Sequence, residues 1–227
     1  MSDQLSVEIA PGQKVSAIVY PVAKSKPAGV TLILGHGAGA GQTSGFMVSF
    51  ATALAARGIE TVTFNFAYME QGRRLPDSKE KLEACYRAVI EAVARRKGAR
   101  GRLAIGGKSM GGRIASQVAA AGAPEVAGLV LLGYPLHPPG KKDQLRAKHL
   151  SEIKAPMLFV QGSRDAFGTP PELQPILKKL KVPAELYEVA GGDHSFKVLK
   201  SAGVPQEDVY KAIQDRIDQW LRATAAI

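Results

Sequence analysis

Leu103-Ala104-Ile105-Gly106-Gly107-Lys108-Ser109-Met110-Gly111-Gly112 is the stretch on which the fold turns. Three apolar residues suited to a buried strand run into a glycine-rich turn, and an alanine-rich helical pattern, Met110 to Ala121, follows at once. Gly107-x-Ser109-x-Gly111 between a strand and a helix is the signature of a nucleophile elbow, a strained turn that lifts a serine hydroxyl above the end of a sheet. The flanking glycines answer a steric need, because a side chain at either position would meet adjacent backbone. The helix start adds free N–H groups and the positive end of its dipole at the same spot.

Outward from the elbow, short apolar runs alternate with longer amphipathic ones. The strand candidates are Val15 to Val22, Val30 to Leu34, Thr61 to Phe66, Leu103 to Ile105, Gly128 to Leu132, Met157 to Gln161 and Ala184 to Val189. The helix candidates are Phe46 to Arg57, Ser78 to Lys97, Met110 to Ala121, Pro171 to Leu180 and Gln206 to Ala223. Runs such as Val30-Thr31-Leu32-Ile33-Leu34 suit strands covered on both faces, and strand–helix alternation predicts an α/β fold with right-handed crossovers. The expectation is one domain over residues 1–227, with a mostly parallel sheet of about seven or eight strands and helices on both faces. Between Leu132 and Met157, Pro135, Pro138, Pro139 and Gly140 break any long helix and leave no room for a lid domain.

In an open α/β sheet the chemistry sits in loops after the carboxyl ends of strands. A serine hydroxyl needs a base to take its proton and an acid to orient that base, in the chain order Ser, acid, His. His137, His149 and His194 follow Ser109. His194 stands in Gly191-Gly192-Asp193-His194-Ser195-Phe196, just past the last strand, and is the expected base. His149 reads as a solvated surface residue beside Lys148, and His137 as a candidate pocket residue. Asp165 follows the Met157 run through Gly162-Ser163-Arg164 and is the expected acid, whereas Asp193 reads as a residue that holds its own turn. The oxyanion needs two backbone donors: Met110, after the nucleophile, and Ala38 in the loop Gly35-His36-Gly37-Ala38-Gly39-Ala40-Gly41.

These residues, together with Phe64-Asn65-Phe66-Ala67-Tyr68 and Gly72-Arg73-Arg74-Leu75-Pro76-Asp77, resemble the α/β-hydrolase superfamily over essentially the whole chain. The resemblance is to its dienelactone-hydrolase-like group and, more narrowly, to a testis-expressed-protein-like branch of predicted serine hydrolases. It implies an α/β-hydrolase fold and hydrolysis of carboxylic esters or related acyl compounds. Dienelactone hydrolases proper carry cysteine where this chain has Ser109, so no particular molecule is named.

Competing motifs fail on spacing. A phosphate-binding P-loop ending in Gly107-Lys108-Ser109 needs glycine at position 102, where Arg102 stands. Gly35-x-Gly37-x-x-Ala40 lacks an acid at the end of the next strand, as a dinucleotide fingerprint requires. No organic cofactor or metal is expected. Cys85 falls at helical spacing with Leu82, Val89 and Val93 and reads as a small core residue.

The 227 residues are 45% hydrophobic and 22% charged, ordinary globular values that exclude disorder and coiled coil, but the net charge is +10. The densest cluster, Arg95-Arg96-Lys97-Gly98-Ala99-Arg100-Gly101-Arg102, precedes a strand and so belongs to the edge opposite the chemistry. It reads as helix-terminal and solvated charge, with nucleic acid disfavoured for want of interleaved aromatics. Arg73 and Arg74 face the catalytic edge and are candidate substrate-binding residues for an anionic acyl substrate, against the alternative of a tethering salt bridge to Asp77 or Glu70. Lys108 and Arg113 flank the elbow. One cysteine, no apolar leader and no membrane-length apolar run predict a cytoplasmic protein with no membrane partner. The rival function is a non-catalytic hydrolase-like scaffold that binds partners or nucleic acid through its basic surface.

Overall fold

The computed structural model describes residues 2–22, 27–96, 101–122 and 125–225. Among these, β1 (Asp3–Ala10), β2 (Gln13–Tyr20), β3 (Val30–Gly35), β4 (Glu60–Phe64), β5 (Arg102–Lys108), β6 (Gly128–Leu132), β7 (Met157–Gly162) and β8 (Ala184–Val189) form one sheet in the order β1-β2-β4-β3-β5-β6-β7-β8. β1 pairs antiparallel with β2 and β2 with β4, and every other neighbour is parallel. The helices are α1 (Gly45–Ala56), α2 (Ala67–Glu70), α3 (Lys79–Arg95), α4 (Met110–Ala120), α5 (Pro170–Leu177) and α6 (Gln206–Ala225).

Alternation along the central strands feeds two cores. In β3, Ile33 points into the core under α3, α4 and α5, while Val30, Leu32 and Leu34 point into the core under α1 and α6. β6 divides in the same way, with Leu129 and Leu131 on one side and Val130 and Leu132 on the other. Each helix lays one stripe on the sheet, as Ile213, Ile217 and Leu221 do in α6. Cys85 is buried in α3 among core residues, and burial pushes its thiol up to about 12, so it is an inert filler.

Two elements depart from the sequence reading. β1 was not expected, yet Leu5, Val7 and Ile9 alternate along it and pack on the core through one face only. The short α2 was not expected either. No lid interrupts the described residues: between β6 and β7 the only regular element is a turn of 3-10 helix at Lys148–Glu152.

Parallel register places the ends of β3, β5, β6, β7 and β8 along one edge, with Gly35 opposite Gly107, Lys108 opposite Leu132 and Gly162 opposite Val189. Tyr86 of α3 ties the centre together, its hydroxyl meeting Ile33 O at 2.9 Å and Gly106 O at 2.6 Å. The basic run lies at the opposite edge, where Arg95 pairs with Glu91 at 3.3 Å and Arg96 with Glu60. Its residues 97–100 lie outside the described residues. No helix among the described residues is long and apolar enough to cross a membrane.

Candidate active site

Ser109 stands between β5 and α4 in a left-handed conformation, φ 50° and ψ −113°, which a serine adopts only where its surroundings hold it. The surroundings are glycine. A Cβ on Gly107 would stand 2.2 Å from Gly35 O, and one on Gly111 2.1 Å from the same atom. The β3 loop and the start of α4 therefore touch backbone to backbone. Met110 is the first residue of α4, so its N–H has no partner within the helix. In the facing loop, Ala40 N–H donates to Gly37 O at 3.2 Å and Gly39 takes φ 73°, which sets Ala38 at the crest of a tight turn. Buried His36 pins this loop: its Nε2 accepts the Phe66 N–H at 3.2 Å and its Nδ1 donates to Gly37 O at 2.8 Å. Burial lowers the His36 pKa against the raising effect of the Gly37 bond, which keeps the ring neutral and its tautomer fixed.

The three expected residues come together from three strands. His194 Nε2 lies 2.8 Å from Ser109 Oγ, and His194 Nδ1 lies 2.8 Å from Asp165 Oδ2. Asp165 is 1% exposed. Its Oδ2 also accepts from Gln161 Nε2 at 2.8 Å, and its Oδ1 accepts the Phe167 N–H at 2.8 Å. These donors satisfy the buried carboxylate and aim it at the imidazole. Phe167 lies over the His194 ring with centroids 4.3 Å apart. Asp193 holds the His194 loop, as expected, by accepting from Ser195 N at 2.7 Å and Lys197 N at 2.9 Å.

Lys108, the residue before the serine, reaches across to donate from Nζ to His194 O at 2.5 Å and lies 5.3 Å from the Phe196 ring centroid. Burial pulls its pKa down to about 8, partly offset by the carboxylates of Asp165 and Asp193. Gln161 is the other residue whose part in the site was missed. Besides Asp165 it engages Tyr134 N at 2.8 Å and Gly168 O at 2.6 Å. The available signal was a lone amide at the end of an apolar strand, fully buried and therefore obliged to find partners.

A cavity of about 710 Å³ opens over Ser109, and Ala38, Met110 and His194 line it with the serine. One flank is Phe46, Met47 and Tyr210; the other is Leu82, Arg113, Pro135 and Arg146. Three expected binding residues are absent from its walls. Arg73 turns to Asp77 at 2.5 Å, the tethering alternative, and Arg74 is exposed outside the cavity. His137 is buried away from it, with Nδ1 2.8 Å from Pro138 O and Nε2 3.7 Å from Glu172. Position after a strand puts all three near the edge, but Asp77 decides where Arg73 turns and the Pro138 carbonyl where His137 does. His149 also differs from its solvated reading: it is half-buried, with Nε2 2.8 Å from Ser116 Oγ. Burial, then Arg113 and Lys79, drive its pKa down to about 4.

Solved structures share this architecture. An alpha-beta serine hydrolase homologue from Coxiella burnetii matches with a TM-score of 0.75 at 20% identity, over 96% of each chain. A serine hydrolase without lid from Xanthomonas campestris matches with a TM-score of 0.74 at 24% identity, over 96% of this chain and 94% of that one. A dienelactone hydrolase from Anabaena variabilis matches with a TM-score of 0.76 at 17% identity, over 97% and 96%. Identities this low show a common fold. The sequence pattern of the alpha/beta hydrolase domain matches residues 28–222, which takes in every strand from β3 onward and the whole site. The chain belongs to the alpha/beta hydrolase domain family.

Proposed function

We propose that the protein is a serine hydrolase that cleaves carboxylic esters through an acyl-enzyme. The observation that carries this reading is the unbroken series from the Ser109 hydroxyl through His194 to the buried Asp165, 2.8 Å at each step. Ser109 Oγ attacks the ester carbonyl as His194 Nε2 takes its proton. Asp165 keeps the other ring proton on Nδ1 and stabilises the imidazolium. The amides of Met110 and Ala38 receive the oxyanion, on a helix start and a turn whose conformations exist before substrate arrives. The carbonyl reforms as the alcohol leaves with the proton from His194. Water, deprotonated by the same histidine, then releases the acid and restores Ser109.

Hydrolysis of 4-nitrophenyl butyrate tests the reading. Ser109→Ala is expected to lower kcat by about 10⁴-fold or more and to abolish labelling by a fluorophosphonate probe. Asp165→Asn should keep the labelling site but lose about 10³–10⁴-fold in kcat, because the asparagine amide favours the wrong imidazole tautomer. Undiminished turnover in Ser109→Ala would refute the assignment. No turnover and no labelling in the wild-type protein would favour the scaffold reading.

A further inference from the structure

Arg113 and Arg146 reach the same flank of the cavity from different elements. Arg113 stands one turn into α4, its N–H donating to Ser109 O at 3.0 Å. Arg146 lies between β6 and β7, its backbone fixed on both sides: the N–H donates to Leu136 O at 2.7 Å and the carbonyl accepts from Tyr134 Oη at 2.7 Å. Both side chains are half-buried and line the cavity with Ser109 and His194.

Among the described residues neither guanidinium has a carboxylate at ion-pair distance, although Glu83 acts on Arg113 from farther off. Among the described residues, Arg57, Arg73, Arg95, Arg96, Arg216 and Arg222 each pair with a carboxylate; of the arginines that do not, Arg113 and Arg146 are the two that line the cavity. Asp77 is, among the described residues, the one carboxylate on the cavity wall, and it is bound to Arg73. Glu83 pairs with Lys79 at 3.5 Å. Burial first, and then Arg146, weakens the hold of Arg113 on its proton, partly offset by Tyr134 and Glu83, so the two guanidinium groups feel one another. His149 behind them stays neutral near pH 7 and supplies no relief. Two like charges kept together in a partly desolvated wall cost stability unless an anion joins them.

We infer that this flank is a subsite for an oxyanion, a carboxylate or phosphate, carried by the ester that Ser109 cleaves. The inference rests on the ester-hydrolase reading for its placement of the reacting bond. Guanidinium forks match the paired oxygens of such groups. One helical turn separates Arg113 from the serine, a rise of roughly 6 Å, so the anion is set a few bonds away from the acyl carbon. Leu82 and Pro135 on the same wall suit the intervening carbon chain, and the opposite flank of Phe46, Met47 and Tyr210 suits an uncharged remainder.

The test compares matched esters. The 4-nitrophenyl monoester of adipic acid is set against 4-nitrophenyl hexanoate for an anion on the acyl side, and 3-carboxyphenyl butyrate against phenyl butyrate for an anion on the alcohol side. The wild-type protein should favour the charged member of at least one pair by about tenfold or more in kcat/KM, chiefly through KM. Arg113→Gln and Arg146→Gln should each erode that ratio, and the double variant should bring it towards one. Lys181→Gln, which removes a charge from an exposed lysine outside the cavity, should leave the ratio intact. Free adipate and inorganic phosphate, added separately, should raise the Tm of the wild-type protein more than that of the double variant, and the larger shift tells carboxylate from phosphate.

A ratio near one in both pairs, or a ratio that survives the double variant, overturns the subsite while Ser109-dependent turnover of the neutral esters leaves the hydrolase reading standing. If no ester is turned over, the hydrolase reading fails. The ligand-induced Tm shift then still decides the subsite: a shift lost in the double variant supports it, and equal shifts overturn it.

Discussion

Gly111 matters to the site as much as Ser109, because it is the atom it lacks that lets α4 start against the β3 loop. An added methyl would stand 2.1 Å from Gly35 O and 2.7 Å from His36 O, both backbone atoms with nowhere to retreat. Gly111→Ala is therefore expected to lose about 3 kcal/mol of stability and most activity, read from a denaturation midpoint and from ester turnover. Wild-type values for both would contradict the packing argument. At this scale the sequence was most informative where chemistry and local geometry coincide. Ser109, Asp165 and His194 could be chosen because each follows a strand and because serine, acid and histidine occur in the required order. Arg73, Arg74 and His137 met the same positional test and turned elsewhere, Arg73 because Asp77 lies four residues on and His137 because Pro138 O holds its Nδ1. Arg113 and Arg146 line the wall instead, and nothing local to Arg146 announces it.

Among the elements, α5 shows how a short helix is held in place. Pro170 opens it, and the Glu172 carboxylate accepts from both Thr169 N and Thr169 Oγ1 at 2.8 Å while pairing with Lys142 at 2.7 Å. The lysine contact leads in pulling the Glu172 carboxyl down to about 2. A lowered carboxyl pKa contributes stability above pH 4.5 that is lost as pH falls towards 2. Glu172→Ala should cost about 1–2 kcal/mol at pH 7, and the difference from wild type in urea midpoints should shrink at pH 3. The parallel strands were legible because burial on both faces demands unbroken apolar runs. β1 was not read, since an edge strand shows one buried face and Leu5, Val7 and Ile9 alternate with exposed polar residues. Its partner β2 was read, and the Pro11-Gly12 turn between them, with Gly12 at φ 72°, was the remaining clue.

For the molecule as a whole, acid should be the damaging direction. The unfolded chain protonates His149 near pH 6.5 and the folded one only near pH 4, so between these values the unfolded state binds more protons. Stability that is complete above pH 6.5 therefore falls as pH drops to about 4, by an amount on the order of 1–2 kcal/mol once solvent screening at this half-buried site is counted. His149→Gln, which keeps an N–H for Ser116 Oγ, should flatten the dependence of Tm on pH across that window; a slope equal to wild type would rule out this cause. The net charge of +10 also resolves by position. Arg95 and Arg96 pair with carboxylates at the edge away from the cavity, whereas Arg113 and Arg146 face the site with no carboxylate at ion-pair distance among the described residues. By itself the sequence determined the strand–helix alternation, the elbow and the order of serine, acid and histidine, because these follow from periodicity, glycine sterics and the loops after strands. Only the tertiary structure decided which basic side chains line the cavity, how Gln161 and Lys108 brace the site, and that His149 is withdrawn from water. Each of these depends on partners far apart in the chain, and side-chain direction is settled by whichever partner the fold brings within reach.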